Sequence, residues 1–192
     1  MRLTHRPSGR HMDLLDFTGE DLYFDRPLPA GVADLLAAAA ADYGEAGAEP
    51  HLLRADCLAP EHPSVLVALY RFYYYQRRYE EALLVADRAI GLTARELGLD
   101  PDWRRLTVAD LAGPARDAMA QTRFLLLALK GAGYLLMRLG RAREALARLE
   151  VVAAVDTADR LGLTELLAWA RDAVGIELAE AAGGNVRALR PR

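Results

Sequence analysis

Side chains able to do covalent or metal chemistry are few and scattered in this chain. Ser8 and Ser64 are the only serines, and neither lies in the glycine-flanked turn that exposes a nucleophilic hydroxyl. His51, Cys57 and His62 come nearest to a ligand set. A helix between them puts His51 and Cys57 on different faces, and Pro60 intervenes before His62, so no metal is expected there. Cys57, the single cysteine, reads as a small core hydrophobe. Being alone, it excludes an internal disulfide and suits a reducing compartment. There is no HExxH, no phosphate loop and no paired-carboxylate motif. The run from Gly131 to Gly133 is no dinucleotide fingerprint, which needs a strand before it. The expectation is a non-enzyme without a cofactor, whose polar groups recognise rather than react.

Helices must position those groups. At 192 residues, with 53% hydrophobic and 27% charged side chains, the sequence is that of a soluble globular domain with a sizeable core. A net charge of −3 supplies no bulk attraction to nucleic acid or an anionic membrane. No run approaches the roughly 18 apolar residues of a membrane span. Lys130 is the one lysine among many arginines, a bias expected of GC-rich, bacterial coding. A cytoplasmic location follows as the expectation.

Residues 1–28 read as an arm, partly disordered. Its first 11 residues are basic and aperiodic, and Met12 is an alternative start. Phe17, Leu22, Tyr23 and Phe24, set among acidic side chains, are expected to lay the arm on a helical body. The alanine-rich run from Gly31 to Asp42 favours a helix. After a break over Tyr43–Gly47, a second helix covers about Glu49 to Leu58, and Pro60 stops it. Pro63 suits the first turn of a helix ending near Tyr75. A turn through Gln76, Arg77 and Arg78 leads to a long partner ending at Gly98.

Residues 97–125 hold an inserted segment, in which Thr107 caps one helical turn, and the start of the next helix. That helix is expected to span Ala115 to Leu139, near 38 Å at 1.5 Å per residue. From Leu125 to Leu129 it is apolar on every side, so neighbours must cover it all round. Gly140 turns it into a partner over Ala142–Leu161, closed by Gly162. Thr164 caps a last helix to Ala182 with Leu163, Leu166, Leu167, Ala170, Val174 and Leu178 facing inward. Residues 184–192 form a basic tail.

Leu66, Leu69, Tyr73, Ala82 and Ala89 align with Val32, Leu35, Ala39, Ala48 and Ala55 before them. They align equally with Leu129, Ala132, Leu136, Ala145 and Val152 after them. Every slot is apolar or small, and each set straddles a helix–turn–helix. The best matches are YYYQRRYEEALLVADRAI and GYLLMRLGRAREALARLEVV, where a glutamate precedes the small residue, Ala82 or Ala145. On these residues the chain resembles the tetratricopeptide repeat, over about residues 29–157. Tyr70 stands where that pattern has glycine, and Ala86 replaces a large residue. The resemblance implies an all-α domain over 29–183, a superhelical stack of about three helix pairs with an insert and a C-terminal capping helix. Stacking is required because one pair cannot bury its apolar stripe alone.

The resemblance also implies a protein-interaction module, of the kind that serves as an assembly or secretion chaperone or adaptor. Partner peptides in that family lie on a concave face lined by the first helix of each pair. Here the lining would be Arg71, Tyr74 and Tyr75, then Lys130, Gly131, Tyr134, Met137 and Arg138. Such an aromatic groove with three cations suits an acidic and apolar peptide. The carboxylate-clamping version needs groove asparagines, and the one asparagine is Asn185 in the tail. Two other readings compete: the tyrosines pack on the protein itself, or they enclose an apolar pocket for a small ligand. Gly133 is expected at a helix–helix approach, and Gly131 to leave space in the groove. Trp169 and Ile176, off the main stripe of the last helix, are either covered by the arm or form a homodimer patch. The glycine turn at Gly140 recurs without glycine near Arg77, where a left-handed residue is expected.

Overall fold

Proline and glycine set most element boundaries in the structure, a computed structural model that describes residues 26–42 and 47–183, with the backbone alone at 115 and 116. α1 (Val32–Ala41) follows Gly31, whose φ is 78°. α2 (Ala48–Leu58) ends just before Pro60. α3 (Pro63–Tyr75) holds Pro63 in its first turn, and His62 Nδ1 accepts from the backbone N–H of Ser64.

Two turns then repeat one geometry. Between α3 and α4 (Tyr79–Glu96) Arg77 has φ 59°, and between α7 (Met119–Arg138) and α8 (Ala142–Val155) Gly140 has φ 73°. The N–H of Arg78 donates to Tyr73 O at 2.9 Å, and that of Arg141 to Leu136 O at 2.8 Å. Both are left-handed helix caps of the Schellman type, so the turns match as the repeat predicts.

α1 pairs with α2, α3 with α4 and α7 with α8. α2 then packs on α3, α4 on α7, and α9 (Thr164–Gly183) on α8. The described residues are helical with no strand, and the architecture is the all-α stack that the apolar periodicity requires. α7 lies at its centre, with Leu125, Leu129, Leu135 and Leu136 fully buried. A Cβ at Gly133 would stand 2.7 Å from Leu149 Cδ2 of α8, so glycine there lets the two helices approach closely.

The insert folds as a 3₁₀ turn (Trp103–Arg105), α5 (Val108–Ala112) and α6 (Pro114–Asp117). Thr107 and Asp110 form a capping box at α5. The segment lies across α4 and α8. There the Trp103 ring sits between the guanidinium groups of Arg104 and Arg148, 4.7 and 4.9 Å from its centroid. Buried Arg148 also holds Asp87 of α4 through both terminal nitrogens.

Three boundaries differ from expectation. α7 begins at Met119, because Ala118 leaves the helical region (φ −139°, ψ 57°) and separates α6 from it. α8 stops at Val155, well before Leu161. The Asp156 carboxylate accepts from the N–H groups of Arg160 at 3.0 Å and Leu161 at 2.7 Å, while Asp159 accepts from Leu163 and Thr164. These side chains offer the backbone a turn in place of more helix. The inward stripe of α9 ends at Val174, and Leu178 is exposed.

Leu28 of the arm packs on the core. Phe17, Leu22, Tyr23 and Phe24, and the tail 184–192, lie outside the described residues. Among the described residues no helix is long and apolar enough to cross a membrane.

Candidate functional site

Helical spacing puts Tyr70 and Tyr74 one turn apart on α3, and their rings stack at 6.1 Å with planes 10° apart. Tyr74 meets Tyr75 at 5.3 Å, Tyr79 at 6.3 Å and Tyr134 of α7 at 6.0 Å. Tyr134 in turn meets Trp169 of α9 edge-on at 6.3 Å. A continuous ladder of rings therefore crosses α3, α7 and α9. Offset and edge-on pairs of this kind contribute about 0.5–1.5 kcal/mol each beyond their buried area.

Cations border the ladder. Arg138 stands over the Tyr79 ring at 5.1 Å and donates to Tyr134 Oη at 3.3 Å. That hydrogen bond, with the neighbouring phenols, holds its pKa above the ordinary arginine value. Arg71 is half-buried on α3. Tyr75 is 49% and Trp169 44% exposed, while Tyr74 and Tyr134 are half-buried. Tyr75 and Trp169 are thus the most exposed rings of the ladder.

Of the residues expected in a groove, the structure brings together Tyr74, Tyr75, Tyr134 and Arg138, with Arg71 on the same helix as the first two. It turns Lys130, Gly131 and Met137 inward. Lys130 is 3% exposed. Its ammonium donates to the Leu161 carbonyl, beneath the 156–162 turn created by the early end of α8. Burial lowers its pKa, against the opposing pull of Asp159 and Asp156. Gly131 leaves no groove space, because a Cβ there would stand 3.0 Å from Tyr70 Oη. Met137 is buried.

Tyr70, Tyr79 and Trp169 join the face although the repeat pattern placed none of them in it. Tyr70 fills the room beside Gly131, so a bulky residue at the usual glycine slot is matched by a glycine across the interface. The spacing of Tyr70 and Tyr74 was the available signal. Trp169 continues the ladder, whereas Ile176 stands further along α9, 60% exposed.

His51 Nε2 lies 3.9 Å from Asp42, Cys57 is exposed and His62 is buried. Because His62 Nδ1 accepts from Ser64, its Nε2–H is the donor to Arg26 O at 3.2 Å. Among the described residues no group of three His, Cys, Asp or Glu is placed to hold a metal. A cleft of about 610 Å³ opens at the other end of α3, between Arg26, the Ala59–His62 turn and α4. Among the described residues no tyrosine lines it.

No family model and no solved structure matches the chain. Over 156 residues, 81% of this chain and 87% of the other, it is 47% identical to the "uncharacterized 19.8 kDa protein in nifW 5'region" of Azotobacter chroococcum mcd 1. The ring-bearing helices α3 and α7 thus belong to a chain that is a member of the same family as that protein.

Proposed function

We propose that the chain is a non-catalytic interaction module of the tetratricopeptide type, working in the cytoplasm as an adaptor or chaperone-like holder of one partner. The aromatic ladder from Tyr70 to Trp169 carries the reading. It is continuous over three helices, Trp169 at its α9 end is 44% exposed, and Arg138 borders it. Aromatic faces with nearby arginines are where binding energy concentrates at protein interfaces. A peptide or helix with apolar side chains for the rings and a carboxylate for the Arg138 guanidinium fits this face.

A non-catalytic reading agrees with the carboxylates. Glu81, Asp100, Asp110, Glu144 and Asp159 all have lowered pKa values, through hydrogen bonds from arginine, hydroxyl or backbone donors. A general acid needs the opposite shift.

The test is capture of partners from the native cell by the wild type and by a Tyr74→Ala/Tyr134→Ala double variant. The position of the relative 5′ of nifW makes the nifW product a first candidate to assay directly. The double variant should lose binding at least tenfold, equivalent to about 1.4 kcal/mol. Equal recovery by both proteins removes the ladder from the function.

A further inference from the structure

α9 is lightly anchored for its length. Three of its 20 residues are buried, Leu166, Leu167 and Ala170, against thirteen of the 20 in α7. Ala173 and Val174 are half-buried, and from Gly175 onward the helix is exposed apart from Glu177. Glu177 meets Arg143 of α8 at 3.2 Å in a surface pair, of a kind that contributes little. Elements held by few buried apolar side chains are the first to open in a native structure.

The connection from α8 is built to move with α9. Asp156 leaves the helical region at φ −89° and ψ 62°. Its carboxylate accepts from the N–H groups of Arg160 and Leu161, while Asp159 accepts from those of Leu163 and Thr164 and from the Thr164 hydroxyl. These bonds lie within the turn and persist wherever it goes. The core holds the turn through Lys130 of α7, whose buried ammonium donates to the Leu161 carbonyl. The carboxylates that act on that ammonium, Asp159 and Asp156, belong to the same turn. A partial displacement would strand the charge between its partners and water, a cost that full exposure removes. The turn is therefore either seated on Lys130 or clear of it.

We propose that α9 and residues 156–163 form a hinged cap with two positions about the end of α8. Seated, the cap has Lys130 as its catch and buries Leu163, Leu166, Leu167 and Ala170. Lifted, it leaves Lys130 in water and takes Trp169 away from Tyr134, so that the ladder shortens to the rings of α3, Tyr79 and α7. The cap is a property of the packing and stands whether or not the ladder binds a partner.

Lys130 is the chain's only lysine, so its side chain reports its own exposure to an amine-acetylating reagent. Acetylation of the full chain, followed by peptide mass spectrometry, is compared at one pH with hydrogen exchange of the backbone. Lys130 should be acetylated at least tenfold more slowly than the lysine of an unstructured peptide. Its protection should also be at least tenfold weaker than that of the α7 amides around Leu135 and Leu136. The α9 amides should share the weaker protection, because a helix of this length is marginal once undocked. Leu167→Ala trims the seat of the cap without altering the charges around Lys130. It should speed acetylation at least tenfold and leave exchange in α3 and α4 unchanged. Equal protection of Lys130 and the α7 amides in the wild type would mean that Lys130 meets water only on global unfolding, and overturns the proposal without recourse to a variant. An acetylation rate that Leu167→Ala leaves unchanged, or α4 exchange that rises in step with it, overturns it as well.

Discussion

Gly131 and Gly133 lie close together on α7 yet face different neighbours, and the two should respond differently to one added methyl. At Gly133 the Cβ meets Leu149 Cδ2 at 2.7 Å and Cγ at 2.8 Å. Leu149 is fully buried and cannot swing clear, so Gly133→Ala should cost about 1–3 kcal/mol of overpacking. At Gly131 the obstacle is the phenol end of Tyr70, at 3.0 Å, which a small rotation relieves. The gain of roughly 1 kcal/mol in helix propensity should leave Gly131→Ala near neutral. Urea denaturation of both variants checks the ordering. Lys130 sets a second test at this scale. Its folded pKa is lowered from 10.5 by burial, so above that folded value the unfolded state binds the extra proton. Stability therefore rises with pH between the folded pKa and 10.5. Relative to Lys130→Met, the wild type should gain stability across that alkaline window. A difference that stays constant with pH would mean the ammonium is not desolvated.

The caps set the geometry of the elements. Arg77 and Gly140 hold equivalent left-handed positions, at φ 59° and 73°, and only one of them is the residue that conformation favours. Arg77→Gly should be neutral to about 1 kcal/mol stabilising, and Gly140→Ala should lose about 1 kcal/mol. Thermal melts of the two single variants give the comparison. A large loss from Arg77→Gly would mean that its exposed side chain, not its backbone, secures the turn. The 156–162 segment shows the same control from the other direction. Two aspartates end α8 early by capturing backbone donors, and this sets where α9 begins. The position of Trp169 beside Tyr134 follows from that choice.

Across the whole molecule, the insert is tied to the stack by one buried cation. Arg148 is 4% exposed, bonds Asp87 of α4 and underlies Trp103. Removing the anion strands the charge, whereas removing the cation leaves a carboxylate able to reach water. Asp87→Ala should thus cost about 3 kcal/mol, and Arg148→Met clearly less, since methionine still packs under the ring. Denaturant midpoints of the two variants decide it; equal losses would mean that packing rather than charge sets the joint. The consequence is architectural. The 3₁₀ turn and α5 of the insert lie on α4 and α8, the second helices of their pairs, while α6 adjoins the start of α7.

Local rules were enough for much of this. Apolar periodicity identifies the helices and their pairing, and Pro63, Gly140 and the Arg77 slot mark ends and turns that depend on a few neighbouring residues. The buried set of Leu129, Ala132, Gly133, Leu136 and Ala145 follows from the repeat, because the first four share one face of α7 and Ala145 is the small α8 residue of the same unit. Half of the candidate face was legible for the same reason: Tyr74, Tyr75, Tyr134 and Arg138 carry their helix's outward register. Lys130, Gly131 and Met137 did not follow, since whether a helix face is groove or core depends on what arrives from across it. For Lys130 the arrival is the 156–162 turn, and for Gly131 it is the Tyr70 ring. The chain's own residues therefore determined an all-helical stack with an aromatic stripe. Tertiary packing alone decided which parts of that stripe stay open, because burial is a property of two surfaces meeting and not of either one.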